Sequence, residues 1–503
     1  MNDFGSKIYD AAKKAVKEVY DLEPAEGQLI IETPQDTKLG DYSTSIAMKL
    51  SRTLRRNPME IAEPLTAKLA ELLPECESIT VARPGFINFK LKQSALTAVI
   101  NEVIAAGDDY GKNDSGKDKH MLLEWVSANP TGDLHCGHAR NAAWGDCICR
   151  LMEASGWDVL REFYVNDAGN QIVKLGESLT ARYFEYFGKE YPLPEDGYHA
   201  DDIKEIAAQL AKEEGDKWLT ADPKERLAYF MDYGKKKELE KIDRDLKTYR
   251  VTMQSWMHET FFYEDNCKRI NACLDRMADM GLTYEKDGAL WFKSTDYGDE
   301  KDRVLRKSDG TFSYLTPDIA NHVYKVERGY PLLVDLWGAD HHSYVIRMQN
   351  ALTALGYPKG TLEVDLIQMV RMVEDGKEVK MSKRTGNAIT LRELCEDIGV
   401  DAARWFFVSK DVATHMDLDL KLARSKDNNN PVYYAQYAYS RMCSILRNPQ
   451  IPEFKSVDVY ERLTDEKEMQ MLKLISEFPK EVAADALNRK PNKMTEYIIT
   501  LVK

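Results

Sequence analysis

The sequence predicts an α/β protein: a parallel sheet with helices, broken by a helical insertion, preceded by a small α+β domain and followed by an all-helical one. Three observations predict it. From residue 120 the apolar pattern runs strand, helix, strand: HMLLEWVSA, then NAAWGDCICRLMEAS with Ala142, Asp146, Cys149 and Met152 at helical spacing, then WDVLREFYVND. A βαβ unit of this length implies parallel strands and a right-handed crossover. Residues 169–250 are highly charged with helical spacing (DDIKEIAAQLAKEEGDKWL, KKKELEKIDRDLKTYR), which marks an insertion lying on the surface. The β/α alternation then resumes, and from DAARWFFVS onward everything readable is helical.

Taken in order, residues 1–107 alternate helical stretches (SKIYDAAKKAVKEVYD, YSTSIAMKLSRTLRR) with short strand-like ones (ESITVARPG, FINFKLK). The polar, glycine-containing AGDDYGKNDSGKDK is a linker into a central domain at 108–390. After the insertion GALWFKST reads as a strand, and VLRKSDGTFSYLT reads as a hairpin turning at Ser308-Asp309-Gly310. LLVDLWG follows as a strand, His341 to Leu355 as a helix and LEVDLIQMVRMV as one more strand. Residues 391–503 form the helical domain, and no internal repeat interrupts the chain.

Composition bounds the class. With 503 residues, 43% hydrophobic and 30% charged, the chain has material for about three domains of a soluble globular protein. No charged-then-apolar leader opens it and no long apolar run follows, so a cytoplasmic protein without membrane contact is expected. Cysteines scattered at 76, 136, 147, 149, 267, 273, 395 and 443 read as reduced, mostly buried thiols. The net charge of −14 excludes a uniformly basic nucleic-acid surface but leaves room for local patches. KLSRTLRR, with Lys49, Arg52 and Arg56 near one helical face, is one such patch, and KEVKMSKR at 377–384 is another; a merely solvated face accounts for either equally well.

The chemistry concentrates in two places. SANPTGDLHCGHARN, residues 127–141, puts His135 and His138 where strand, turn and helix meet. A helix start exposes unpaired N–H groups and the positive end of the dipole, so Gly137 lets a phosphate approach while the histidines add donors. Half of a metal site and two ordinary helix-end residues are the competing readings; no C-x-x-C or H-E-x-x-H accompanies the pair. GKNDSGKD at 111–118 imitates a phosphate loop, but Asp118 stands where Ser or Thr should bind magnesium, and it precedes a strand instead of following one. The second place is EDGKEVKMSKRTGNA, 374–388, where Gly376 and Gly386 bracket Lys380, Lys383 and Arg384 after the last sheet strand. Ligands of such sheets bind at that carboxyl edge, where mobile cations could close on a polyphosphate.

HCGH at 135–138 and KMSKR at 380–384 resemble the two signatures of class I aminoacyl-tRNA synthetases. EWVSANPTGDLHCGHARN, YVNDAGNQI, SYLTPDIAN, WGADHHSYVIRM, KMSKRTGNAITL, DIGVDAARWFF and NNNPVYYAQYAYSRMCSILR are similar to bacterial-type arginyl-tRNA synthetases, as are GDYSTSIAMKL and RPGFINFKL near the amino terminus. The resemblance implies a Rossmann-like catalytic domain that activates L-arginine with ATP and Mg²⁺ and transfers it to tRNA(Arg), with magnesium arriving on ATP and no resident metal. It further implies an amino-terminal tRNA-binding domain, a carboxyl-terminal anticodon-binding domain and a monomer. Guanidinium wants carboxylates. Asp318 and Glu124, with Tyr314, are assigned to the substrate side chain, although Asp318 could instead cap a helix after Pro317 and Glu124 could be a buried ion-pair partner. By the same resemblance Asn129, His135 and His342 hold the amino and carboxylate end. His135, Gly137 and His138 meet the ATP phosphates, Gly338 and Asp340 the ribose, and Lys380 and Lys383 the pyrophosphate; His135, His138, Lys380 and Lys383 are the catalytic set. Arg52, Arg56, Tyr434 and Gln436 are candidates for tRNA contact.

One departure stands out. In YRVTMQSWMHE the family often has Phe-Asp where this chain has Met253 and Gln254, although Trp256 and Glu259 fit. A cysteinyl synthetase would bring zinc-binding cysteines, and a small nucleotidyltransferase would leave the helical carboxyl-terminal part without a purpose. At the end, NKMTEYIITLVK places Asn492 as a cap and Met494, Tyr497, Ile498, Leu501 and Val502 on one face, without a stop signal. Because the family's domain continues with further helices, a longer natural chain is expected.

Overall fold

The computed structural model of the protein describes residues 3–34, 36–379 and 389–503. They divide into two compact units, one of residues 1–113, 441–484 and 500–503, the other of 114–440 and 485–499.

The first unit opens with α1 (Phe4–Tyr20), β1 (Ile31–Glu32), β2 (Tyr42–Thr44), α2 (Ile46–Leu54), α3 (Pro58–Leu72), β3 (Cys76–Ala82), β4 (Phe86–Leu91) and α4 (Gln93–Ala106). The strands make one antiparallel sheet in the order β1-β2-β4-β3. Ile8, Val16, Leu50, Ile61, Leu65, Ile87 and Phe89 join the helices to this sheet in one core, each burial contributing roughly 1.5–3 kcal/mol. Two expectations change here. The YST of YSTSIAMKL is extended as β2 and the helix starts only at Ile46, because Tyr42 and Thr44 are buried in pairing with β4. Arg55 turns left-handed (φ +51°) and ends α2, so Arg56 lies past the helix and does not continue the Lys49–Arg52 face.

The second unit runs β5 (His120–Glu124), α5 (Cys136–Ala154), β6 (Asp158–Val165), α6 (Asn170–Tyr186), α7 (Asp201–Glu214), α8 (Pro223–Thr248), β7 (Ser255–His258) and α9 (Thr260–Asp279). After these come β8 (Thr283–Lys286), β9 (Ala289–Phe292), β10 (Arg303–Arg306), α10 (Leu315–Glu327), β11 (Leu332–Gly338), α11 (His342–Ala354), β12 (Leu362–Ile367), β13 (Val370–Glu374) and β14 (Lys377–Glu378). The chain then forms α12 (Leu391–Ile398), α13 (Val400–Val408), β15 (Met416–Asp419), α14 (Leu420–Arg424), α15 (Pro431–Leu446), α16 (Glu466–Asn488) and α17 (Pro491–Val502). A five-stranded, all-parallel sheet in the order β12-β11-β5-β6-β7 is the frame, as the βαβ pattern predicts. β5 leads to β6 on one side while β11 lies on the other, and this reversal opens a crevice at the strands' carboxyl ends.

Several elements depart from the sequence reading. GALWFKST supplies β9 of a separate antiparallel sheet, β10-β9-β8, and not a strand of the parallel one. The turn at 308–310 forms, with Lys307 N–H donating to Thr311 O at 2.8 Å, but its return arm pairs only through the bridge Arg306–Phe312. LEVDLIQMVRMV is two strands, since Gln368 N–H donates to Val412 O between them; β12 stays in the parallel sheet and β13 pairs with β14 and β15. β15 also breaks the all-helical expectation beyond DAARWFFVS. The insertion is more than a surface layer: Leu175, Leu179, Tyr183, Ile203, Leu210 and Phe230 give it a core of its own. Asn492 is the second residue of α17, is buried and has no partner for its Oδ1, so it caps nothing.

Candidate active site

β5 ends at Glu124, and the chain then turns through two left-handed residues, Val126 (φ +68°) and Ser127 (φ +38°). A β-branched residue there is strained, and such strain persists only where its surroundings fix it. Asn141 does so from α5: its Oδ1 accepts from Val126 N–H at 2.8 Å and its Nδ2 donates to Leu336 O at 3.0 Å, tying β5 to β11 at their carboxyl ends. Arg140, next to it, is completely buried and donates to the carbonyls of Gln368 (2.8 Å), Thr414 (3.0 Å) and Asp411 (2.9 Å). Burial brings the Arg140 guanidinium down to about 10, which leaves it charged at neutral pH.

His135 is the N-cap of α5, in extended conformation. Its Nδ1 accepts from Gly137 N–H at 3.1 Å, and His138 Nδ1 accepts from His135 N–H at 3.2 Å, a reciprocal box that satisfies two orphan donors of the helix start. With each Nδ1 accepting, the ring proton of a neutral imidazole sits on Nε2. Both rings are neutral at pH 7, since burial lowers His135, and burial with the neighbouring His135 brings His138 to about 3. The pair therefore offers two N–H donors and the α5 dipole, not two cations. A Cβ on Gly137 would stand 3.0 Å from the His135 ring, so glycine also lets that ring close over the helix start.

A cavity of about 900 Å³ opens between these elements. It gathers Glu124, His135, Gly137, His138, Asp318, Gly338 and Asp340 of the residues singled out in the sequence, together with Ser127, Asn141, Tyr164, Asn321, His322, Asp335 and Tyr344, which sequence reasoning missed. Asp318 is the fourth residue of α10 and not a cap; Tyr344 Oη donates to its Oδ2 at 2.5 Å. Burial pushes the Asp318 carboxyl up and the Tyr344 hydrogen bond pulls it back. Glu124 does have the ion-pair partner weighed above: Lys325 Nζ donates to its Oε2 at 2.6 Å, while Ser127 Oγ donates to its Oε1 at 3.1 Å. Tyr164 Oη and Asn321 Oδ1 are buried without a hydrogen-bond partner, which leaves a donor and an acceptor in the cavity wall for a ligand to satisfy.

Other expected residues stand elsewhere. Asn129 is exposed in the loop after β5, His342 is exposed at the first residue of α11, and Tyr314 is 90% exposed just ahead of α10, whose buried side begins with Leu315 and Thr316. None of the three lines the cavity; the phenol that touches Asp318 is Tyr344, legible only as the tyrosine of WGADHHSYVIRM. Lys380 and Lys383 lie outside the described residues, but their flank does not: Thr390 bridges His135, and Leu391 N–H donates to Leu134 O at 2.7 Å. Arg52 and Arg56 are exposed in the first unit; on α15, Tyr434 is half-buried and Gln436 donates to Asp401 at 2.7 Å. Among the described residues no group of three or more His, Cys, Asp or Glu side chains is placed to hold a metal ion, and all eight cysteines are free.

Comparison with known proteins decides the family. Residues 99–419 match the class I (R) tRNA synthetase catalytic domain, 6–91 the arginyl-tRNA synthetase N-terminal domain and 435–503 the DALR anticodon-binding domain. The arginine–tRNA ligase of Bacillus subtilis is 48% identical over 475 residues, covering 94% of this chain and 85% of that protein; that of Shouchella clausii is 50% identical over 478 residues with the same coverage. The chain belongs to the arginyl-tRNA synthetases. The Thermus thermophilus arginyl-tRNA synthetase structure, at 20% identity and a TM-score of 0.76, covers 99% of this chain and 90% of its own and shares the fold. Within this synthetase the departure at Gln254 has a structural account: it exchanges hydrogen bonds with Arg161, N–H to O at 2.9 Å and Arg161 N–H to Gln254 Oε1 at 3.0 Å, extending the edge where β7 joins β6. No helix among the described residues is long and apolar enough to cross a membrane.

Proposed function

We propose that the cavity at the carboxyl ends of β5 and β11 is where this arginyl-tRNA synthetase joins arginine to AMP before passing it to the 3′-terminal adenosine of tRNA(Arg). The observation that carries the reading is one cavity holding both the carboxylates of Glu124 and Asp318 and the amino terminus of α5 with its two histidine donors. Carboxylates match a planar guanidinium fork, and a helix start with N–H donors matches phosphate. In this reading Glu124 and Asp318 take the arginine side chain, with Tyr314 closing over it. Asn129, His135 and His342 take the amino and carboxylate end, with the exposed Asn129 and His342 turning inward on binding. His135, Gly137 and His138 receive the phosphates, while Gly338 and Asp340 face the ribose.

The arginine carboxylate then attacks the α-phosphorus in line and pyrophosphate leaves, so the protein supplies alignment and charge and no nucleophile. Neutral His135 and His138 donate to the phosphate oxygens, and Lys380 with Lys383 neutralises the departing pyrophosphate. Support for that last role is the Thr390–His135 bridge, which stitches the carboxyl-terminal flank of the KMSKR loop to the HCGH turn. Magnesium arrives with ATP. In the same reading Arg52, Arg56, Tyr434 and Gln436 meet tRNA, and the protein works as a cytoplasmic monomer.

Arginine-dependent exchange of pyrophosphate into ATP, measured with and without tRNA(Arg), tests the reading. Exchange that depends on arginine, carried out with tRNA present, supports it; no arginine dependence under either condition contradicts it.

A further inference from the structure

The carboxylates assigned to arginine belong to a buried charge cluster, and the proposed reaction leaves three of its members, His322, Lys325 and Asp335, without a role. Asp318, His322 and Lys325 follow one another along a single face of α10 at spacings of four and three residues. Lys325 is completely buried, and its Nζ reaches Glu124 Oε2 at 2.6 Å and Asp335 Oδ1 at 3.3 Å. His322 bridges as well, through Nε2 to Asp335 Oδ2 at 2.8 Å and Nδ1 to the carbonyl of Asp318 at 2.7 Å. A buried ammonium with two carboxylates costs desolvation and is weak support for stability alone. Its place matters more: it binds Oε2 of the very carboxylate assigned to the substrate, while Ser127 binds Oε1.

We propose that Lys325 is a positioning residue for arginine recognition, holding the Glu124 carboxylate charged and in one orientation so that a guanidinium meets an anion there. The inference rests on the arginine site described above and goes beyond it by assigning the specificity of that site to a cation no substrate touches. Glu124 sits among Asp318, His322 and Lys325 of α10, Asp335 of β11, Tyr164 of β6 and Glu162, its register partner on β6, which Arg328 pairs at 2.6 Å. Burial pushes Glu124 up, Lys325 pulls it back, and Asp335 pushes it up again. Without the lysine, among the described residues His322 and the distant Arg328 remain to oppose the carboxylates of Asp318, Asp335 and Glu162. Removing the lysine takes away the strongest pull against burial, so the Glu124 carboxyl moves further up, toward its protonated form, and a protonated Glu124 presents no anion to the guanidinium.

The test is Lys325→Met, which keeps the length and removes the charge. Arginine KM should rise about 10–100-fold at pH 7, as expected when one charged partner of a desolvated contact is lost. ATP KM should stay unchanged and kcat should stay within a few-fold. The signature that a merely structural role would not produce is a pH profile: arginine affinity in Lys325→Met should climb with rising pH over a range displaced upward from that of the parent. Adding Glu124→Gln should abolish that climb, and Lys325→Arg should restore much of the parental KM. If Lys325→Met does not fold, Lys325→Met with Asp335→Asn, which removes one charge of each sign, carries the same measurement. A folded variant of either kind with parental arginine KM and a parental pH profile overturns the proposal. Glu124→Gln and Asp318→Asn in the parental background separate the two readings. If both leave arginine binding intact, the site assignment itself fails; if they weaken it while Lys325→Met does not, only the role of Lys325 fails.

Discussion

A guanidinium keeps its charge at any physiological pH, so discrimination for arginine has to come from how many anions the pocket keeps ionised and where they point. Among the described residues, the Asp318 carboxylate is held by the Tyr344 hydroxyl and has no cation in direct contact. Asp318→Asn should therefore weaken arginine binding by roughly 2–5 kcal/mol, the cost of removing one partner of a desolvated charge pair; unchanged affinity in calorimetry would remove it from the site. A third carboxyl stands close by. Glu259 is raised to about 7 by burial and by neighbouring Asp318 and Asp167. It is negative above that value and neutral below it, so arginine should bind less tightly as pH falls from about 8 to 6, and Glu259→Gln should flatten that part of the profile. An identical profile in the variant would show that Glu259 does not sense the substrate. Residues of this kind were half legible. His135, His138, Asp318 and Glu124 stand out because a motif frames them, whereas Lys325, Asp335 and Tyr344 read as ordinary helix and strand positions until the fold brings α10, β11 and α11 around one cavity.

Among the elements, α5 does more than start at the nucleotide. Through Asn141 it fixes the crevice between β5 and β11, and through Arg140 it anchors the segments carrying Met369 and His415, which line the same cavity. Arg140→Met leaves three partly buried carbonyls without their donor and empties a fully buried side-chain site. The cost should be roughly 3 kcal/mol of stability together with a raised ATP KM; a thermal melt and steady-state kinetics at parental values would refute this anchoring. In the first unit, α2 presents Arg52 on its last turn, with Arg56 just beyond the αL end. Neutralising both should lower tRNA affinity and reduce the salt slope by about 1–2 without altering arginine affinity, and an unaltered slope would return them to a solvated surface. The sheet frame was legible because β5, β6 and β11 are apolar runs bounded by clear breaks. β12 and β13 were not separable, since the run LEVDLIQMVRMV contains neither glycine nor proline and its break is a tertiary hydrogen bond from Gln368 to Val412. β15 escaped notice for a similar reason: four residues of alternating MDLD character become a strand only because β13 lies beside them.

At the scale of the molecule, a chain of net charge −14 handles two polyanions, ATP and tRNA, and does so with local devices. In the proposed reading the helix dipole and neutral histidine donors serve the phosphates at α5, and Lys380 and Lys383 bring positive charge where pyrophosphate departs. Lys383→Ala should accordingly slow arginyl-adenylate formation by about 10²–10³-fold, the range for one contact made in the transition state, with arginine affinity nearly untouched; exchange at parental rate would deny the loop its role. The central claim is that arginine and ATP meet between Glu124, Asp318 and the start of α5. The most direct measurement is a crystal structure with a non-hydrolysable arginyl-adenylate analogue. The account predicts the guanidinium between the Glu124 and Asp318 carboxylates, with the phosphate surrogate within hydrogen-bond reach of His135 and His138 Nε2. An analogue bound elsewhere, or seated in this cavity with its guanidinium turned away from both carboxylates, would contradict it.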